Sequence, residues 1–132
     1  MTLLLDTHVL AWWWSLNPRL GDAAKARIGE PGEVVLVSAV TPWEMGIKHA
    51  SGRWPIAGSW LEDWDRFMAE DGFETLPIIP RHGIHAATLD WTHRDPFDRI
   101  LAAQARIEGA RLVTADTRLL AFLPDALNAQ EG

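Results

Sequence analysis

Asp6, Glu44, Asp98 and Asp116 are far apart in a chain of 132 residues, yet each occupies the same kind of place. Asp6 closes the apolar run "LLLD", and Asp116 closes "ARLVTAD". Glu44 stands three residues after Thr41 in "TPWEMGIKHASG", and Asp98 opens the helical run of "RDPFDRILAAQA". Singly, each has an ordinary structural use. Asp6 or Thr7 can cap a helix, Glu44 can complete a capping box with Thr41, Asp98 meets a helix dipole, and Asp116 can cap a last helix. Gathered in one place they mean something else. Carboxylates a few ångströms apart repel, so a cluster persists only with raised pKa values or with cations beside it. The chain has no cysteine, and no two histidines show ligand spacing. An all-oxygen donor set selects hard ions, Mg²⁺ or Mn²⁺, which in such settings do chemistry on phosphates. One or two such ions can activate a water and stabilise charge on a phosphodiester.

Within "RDPFDRILAAQA", Asp95 suits the N-cap, Pro96 the first helical position and Asp98 the third. The stretch alone favours capping for both acids. A division of labour follows only from the rest of the chain, with Asp95 starting the helix and Asp98 pointing into a site.

The elements that must position these acids alternate in type. Residues 3–5 read as a short strand, 33–40 ("EVVLVSAV") as a strand buried on both faces, "FETLPI" as a weaker third and "ARLVTAD" as a fourth. Between them lie helices over Thr7–Ser15, Asp22–Ile28, the run from Thr41 to a glycine stop at Gly52, 59–72, 80–89, Pro96–Glu108 and 118–122. Trp60, Trp64, Phe67 and Met68 share one side of the 59–72 helix. This alternation predicts an α/β fold, a three-layer α/β/α sandwich around a central parallel sheet of four to five strands. A fifth strand is doubtful, because "DALNAQEG" is short and polar; residues 125–132 read as a tail or a weak edge strand. In such a sheet, sites form beyond the carboxyl ends of the strands. Three of the four acids leave strand ends on that edge, and the fourth starts a helix able to pack there.

Bulk properties narrow the classes. The length suits one domain, and 48% hydrophobic with 23% charged residues suits a folded chain. No apolar run spans a bilayer, and the start MTLLLDTHVL lacks a basic leader, so neither membrane anchor nor signal peptide is expected. The absence of cysteine is compatible with the cytoplasm. A net charge of −6 argues against a passive nucleic-acid binder, but not against an enzyme that meets a polyanion through metal ions and a local basic rim. Eight tryptophans are many for this length, and Trp12, Trp13 and Trp14 are consecutive, so one helical face cannot bury all three. At least one is expected to face a partner or a neighbouring element, and the apolar surplus suggests a homodimer.

"LLLDTHVLAWW", "SAVTPWEMGIK", "HRDPFDRILAAQA" and "LVTAD" together resemble, in order and spacing, the PIN domain, and most closely the VapC-type toxins of bacterial toxin–antitoxin pairs. The likeness runs to about Phe122 and so covers a domain over residues 1–124. It implies a metal-dependent endoribonuclease using Mg²⁺ or Mn²⁺, an RNA substrate and a cognate antitoxin protein. The family's site acids fall on Asp6, Glu44, Asp98 and Asp116, while Asp95 stays a cap.

Other residues carry two readings each. Lys48, four residues after Glu44, suits a helical ion pair or a place near phosphate. Thr114 is a strand-end hydroxyl or an aid to water and metal binding. His8 is a first-turn residue or an acid–base group. Arg53, Arg94 and Arg99 could form the basic rim, with Arg99, beside Asp98, the best candidate for phosphate contact. His49, His82, His85 and His93 read as surface or filler positions. Among rival α/β domains, a phosphoacceptor receiver needs an acidic pair after the first strand, a haloacid-type phosphatase needs Asp-x-Asp where this chain has Asp-Thr-His, and a nucleotide binder needs a glycine-rich first turn. A non-catalytic domain of the same fold would keep four converging acids without the cation that offsets them.

Overall fold

The computed structural model describes residues 1–131. Among them β1 (Thr2–Leu5), β2 (Val34–Ser38), β3 (Glu74–Leu76), β4 (Arg111–Thr114) and β5 (Leu127–Asn128) form one parallel sheet in the order β3-β2-β1-β4-β5. β1 is central, and Leu3, Leu4 and Leu5 are fully buried. Successive side chains of a strand point to opposite faces, and the core divides accordingly. Leu3 and Leu5 join Val9, Leu10, Val37, Met45, Trp60 and Val113 on one face, while Leu4 joins Leu101, Ala102, Leu112 and Leu119 on the other. Helices cover both faces, giving the three layers expected from the alternation.

The helices are α1 (Thr7–Ser15), α2 (Asp22–Ile28), α3 (Val40–Ala50), α4 (Ala57–Glu62), α5 (Trp64–Asp71), α6 (Pro80–Thr88), α7 (Pro96–Glu108) and α8 (Thr117–Phe122). The single helix expected over 59–72 is two, α4 and α5, broken at Asp63 (φ −113°, ψ 32°). Trp60 of α4 and Met68 of α5 are both buried in the core.

The capping box expected at Thr41 is not formed. α3 begins at Val40, whose own amide donates to the Ser38 hydroxyl at 3.1 Å, and the buried Thr41 hydroxyl has no partner. Glu44 is thereby released from capping and used elsewhere.

The doubtful fifth strand exists. β5 pairs with β4 through Val113↔Leu127 and Thr114↔Asn128, and Ala129 donates to the Thr114 carbonyl at 2.8 Å. Gly21 donates to Ala129 O at 2.8 Å, and the main chain of Gln130 and Glu131 lies so close to Gly21 that a Cβ has no room. The 125–131 stretch is thus an edge strand and a packed return, not a loose tail; Gly132 lies outside the described residues.

The three consecutive tryptophans are all half-buried and find neighbours inside the chain. Trp14 donates from Nε1 to Asp71 Oδ2 at 2.8 Å and packs on Trp60, Trp64 and Phe67; Trp13 tilts against Phe73 and Trp12 meets His8. The tryptophan left to solvent is Trp43, at 64% exposure.

Candidate active site

Register brings the acids together. Leu5 of β1 pairs with Val37 and with Val113, so the next residues, Asp6, Ser38 and Thr114, stand level at the carboxyl edge of the sheet. Asp6 is buried there. Its Oδ1 accepts the Thr7 amide at 2.7 Å and its Oδ2 accepts the Thr114 hydroxyl at 2.7 Å. Burial raises its pKa to about 7, and the charges of Asp98 and Glu44 push the same way against the Thr114 hydrogen bond.

Glu44 approaches from α3. Thr7 Oγ1 donates to its Oε1 at 2.6 Å, and Lys48 Nζ pairs with its Oε2 at 3.1 Å. The helical ion pair read from spacing is therefore present, with Lys48 also lying over the Trp54 ring at 4.8 Å. Asp116 caps α8, accepting the amides of Arg118 and Leu119, and pairs with the Arg118 guanidinium at 3.3 Å. Those contacts hold its pKa below the usual range although partial burial, the largest single influence, opposes them. Thr114 serves the site from within: its hydroxyl also accepts the Asp116 amide at 3.0 Å.

Asp95 and Asp98 divide as expected at the helix start. Asp95 Oδ1 accepts the amides of Phe97 and Asp98 at 2.9 and 3.1 Å, which is an N-cap. Asp98 is free of capping and bonds through Oδ2 to His93 Nε2 at 2.6 Å. Burial raises the Asp98 pKa, the His93 bond lowers it, and the Asp95 and Asp116 charges raise it again.

All of Asp6, Glu44, Asp98 and Asp116 line one open cavity of about 410 Å³, with Asp95, His8, Lys48 and Arg118 on its walls. His8 sits between Trp12 and Trp54; partial desolvation, then Lys48, lower its pKa. It is therefore mostly neutral near pH 7. A larger depression of about 680 Å³ at the opposite edge of the sheet, lined by Met1, Arg106 and Arg111, has Asp125 as its one acid.

Two expectations fail. Arg99 does not face the cavity; its guanidinium is used on the carbonyls of Ala86, Leu89, Trp91 and His93. His93 and His82 are not filler. His93 holds Asp98, and the buried His82 bridges the Ile79 amide and Glu108. Arg53 and Arg94 are exposed outside the cavity wall. Sequence reading missed Arg118, two residues after Asp116, and His93, five before Asp98; closeness to a site acid was the available signal.

The donor set fits a hard divalent cation. Five carboxylates face one cavity against Lys48 and Arg118, and two of them, Asp6 and Asp98, have pKa values raised by burial and by neighbouring negative charge. A cation would offset that repulsion. Among the described residues no three acids already share one ligating centre. Protein groups hold both oxygens of Asp6, Glu44 and Asp116 and one of Asp98.

The family model described as the PIN domain matches residues 3–122, a span that includes all four acids. This chain belongs to the PIN-domain family. A curated relative, Ribonuclease VapC22 of Mycobacterium tuberculosis (strain ATCC 25618 / H37Rv), is 34% identical over 119 residues, covering 89% of each chain. Solved structures share the PIN fold at lower identity. A toxin–antitoxin complex from Klebsiella pneumoniae aligns with a TM-score of 0.67 at 20% identity over 98% of this chain and 99% of that one. VapBC2 from Rickettsia felis, bound to a DNA fragment from its promoter, aligns at 0.68 with 15% identity over 96% of each chain. VapBC-1 from nontypeable Haemophilus influenzae aligns at 0.66 with 19% identity, again over 96% of each.

Proposed function

We propose that this PIN domain is a metal-dependent endoribonuclease, the toxin of a type II toxin–antitoxin pair, which hydrolyses RNA phosphodiester bonds. The convergence of Asp6, Glu44, Asp98 and Asp116 in one cavity beyond the strand ends carries the reading. The ribonuclease name of a relative that matches over most of both chains supports it. Asp6, Glu44, Asp98 and Asp116 would hold Mg²⁺ or Mn²⁺, which when bound supplies an activated water and offsets charge on the phosphate.

The chain's own groups do the rest. Thr114 and the Thr7 amide orient Asp6. Thr7 and Lys48 fix both oxygens of Glu44. Lys48 and Arg118 are the cations on the cavity wall able to meet a phosphate, and Arg118, being exposed, is the freer of the two. His8 at the same wall is a neutral base near pH 7 able to take a proton.

The cognate antitoxin fits the same cavity. An acidic cavity with Trp12 on its wall suits a peptide with an arginine or lysine and an apolar anchor. Structural neighbours described as toxin–antitoxin complexes support such a partner. No helix is long and apolar enough to cross a membrane among the described residues, and an RNA substrate agrees with action in the cytoplasm.

The test is incubation of the pure chain with total RNA, with and without Mg²⁺, followed by end mapping. Defined new ends that vanish in EDTA are expected. Undiminished cleavage in excess EDTA would sink the metal mechanism; RNA binding without cleavage in Mg²⁺ would leave a non-catalytic domain.

A further inference from the structure

Arg99 looks like a substrate contact in the sequence, being next to Asp98. In the structure it is turned away from the cavity and onto main-chain carbonyls. A guanidinium has five N–H donors. Four are spent on main-chain carbonyls: Nε on Ala86 at 2.9 Å, Nη1 on Trp91 and His93 at 2.9 Å each, and Nη2 on Leu89 at 3.0 Å. Ala86 lies in the last turn of α6, whose final carbonyls have no helical partner. One side chain thus terminates α6 and folds residues 89–93 onto the first turn of α7.

The held segment carries His93. Its Nε2 reaches Asp98 Oδ2 at 2.6 Å, on the residue adjacent to Arg99 itself. The geometry is closed: Arg99 fixes the His93 carbonyl, and the His93 ring returns to the neighbouring carboxylate. Trp91 reinforces it by stacking on Phe122 (4.3 Å between ring centres, 10°) and meeting His93 edge-on at 4.8 Å. Asp95 fixes the Asp98 amide from the other side. The Asp98 side chain therefore has one oxygen tied and the other left to the cavity.

We infer that Arg99 and His93 are positioning residues of the acidic site, with Arg99 shaping the 86–93 main chain so that His93 holds the Asp98 carboxylate in one orientation. The inference rests on the proposed metal-dependent function, because an orientation matters only if Asp98 has something to ligate. Partners that orient metal ligands characteristically change metal affinity or activity about 10–100-fold when removed. Lysine cannot replace Arg99: one ammonium with three donors has no planar fork to span four carbonyls.

The experiment titrates Mn²⁺ into the full chain, following the free-ion signal by electron paramagnetic resonance, beside metal-free melting curves and single-turnover RNA cleavage. His93→Ala should weaken Mn²⁺ binding by about 10–100-fold while the melting temperature stays near wild type. His93→Gln, which keeps a donor at the Nε2 position, should recover most of the affinity. Arg99→Lys should bind Mn²⁺ as weakly as His93→Ala despite its conserved charge. If Arg99→Lys does not fold, the two His93 variants decide alone. Unchanged Mn²⁺ affinity in a folded His93→Ala chain overturns the inference and leaves the function intact. An Arg99→Lys chain with normal Mn²⁺ affinity and a raised KM for RNA overturns it too, returning Arg99 to phosphate contact. A wild-type chain that binds no Mn²⁺ overturns the metal-dependent function and this inference together.

Discussion

Thr114 and Asp6 lie 108 positions apart in sequence and are joined by a 2.7 Å hydrogen bond at the carboxyl edge of the sheet. That bond is the chief influence holding down an aspartate that burial has pushed up. Thr114→Val keeps the shape and removes the donor, so the Asp6 pKa should rise further in the metal-free protein. It also leaves the Asp116 amide without its acceptor, at a cost of about 1–3 kcal/mol. Thr114→Ser should restore both. A ¹³C carboxyl titration by NMR checks this, and an Asp6 midpoint that does not move in the valine variant refutes it.

Asp6 also links stability to pH. Its folded pKa of about 7 exceeds the ordinary 3.8, so between those values the folded state holds a proton that the unfolded chain has lost. Its contribution is complete below pH 3.8 and disappears as pH rises through 7, an effect on the order of 4 kcal/mol at its limit. The raised pKa of Asp98 acts with the same sign. Urea unfolding in EDTA at about pH 5 and about pH 8 should show a lower midpoint at the higher pH, with a smaller difference in Asp6→Asn. Equal differences in the two proteins would remove Asp6 as the cause.

The two acids at the start of α7 should separate stability from activity. Asp95→Asn should be mild, because asparagine caps about as well; Asp95→Ala should cost about 1 kcal/mol. Asp98→Asn should fold at least as well without metal, since a negative charge leaves the cluster, yet lose cleavage by orders of magnitude. Melting temperature without metal and single-turnover cleavage at saturating Mg²⁺ form the paired measurement. Equal loss of cleavage in folded Asp95→Asn and Asp98→Asn would place Asp95 in the site.

A homodimer remains expected, but through a different tryptophan. Trp12, Trp13 and Trp14 are occupied within the chain, whereas Trp43 and Ile47, one turn apart on α3, are 64% and 41% exposed. Trp43→Arg should shift the chain toward monomer in light scattering. A wild-type monomer at high micromolar concentration would dispose of the dimer.

What was readable in the sequence is what local chemistry determines. The proline and aspartate at the start of α7 and the apolar strands ending at Asp6 and near Asp116 declare themselves in a few residues. What was hidden depends on distant partners. Glu44 fits a capping box by its neighbours as well as a site acid; that Thr7, 37 positions away, takes its Oε1 is written nowhere near it in the sequence. Arg99 looked available because its four acceptors are main-chain carbonyls, which every residue carries and no sequence marks. β5 was obscured because two residues suffice when the Gly21 turn supplies the remaining hydrogen bond.

The strand order has a consequence for synthesis. β1 is made first, but it lies between β2 and β4, and β4 is among the last elements to emerge from a ribosome. Asp6 therefore waits through more than a hundred residues of translation for the strand that braces it. Until Arg111–Thr114 can pair with β1, neither Thr114 nor Asp116 is in place, whatever the earlier helices have done. The acidic cavity is thus assembled only when the chain is nearly complete, and a chain ending before β4 lacks both Thr114 and Asp116.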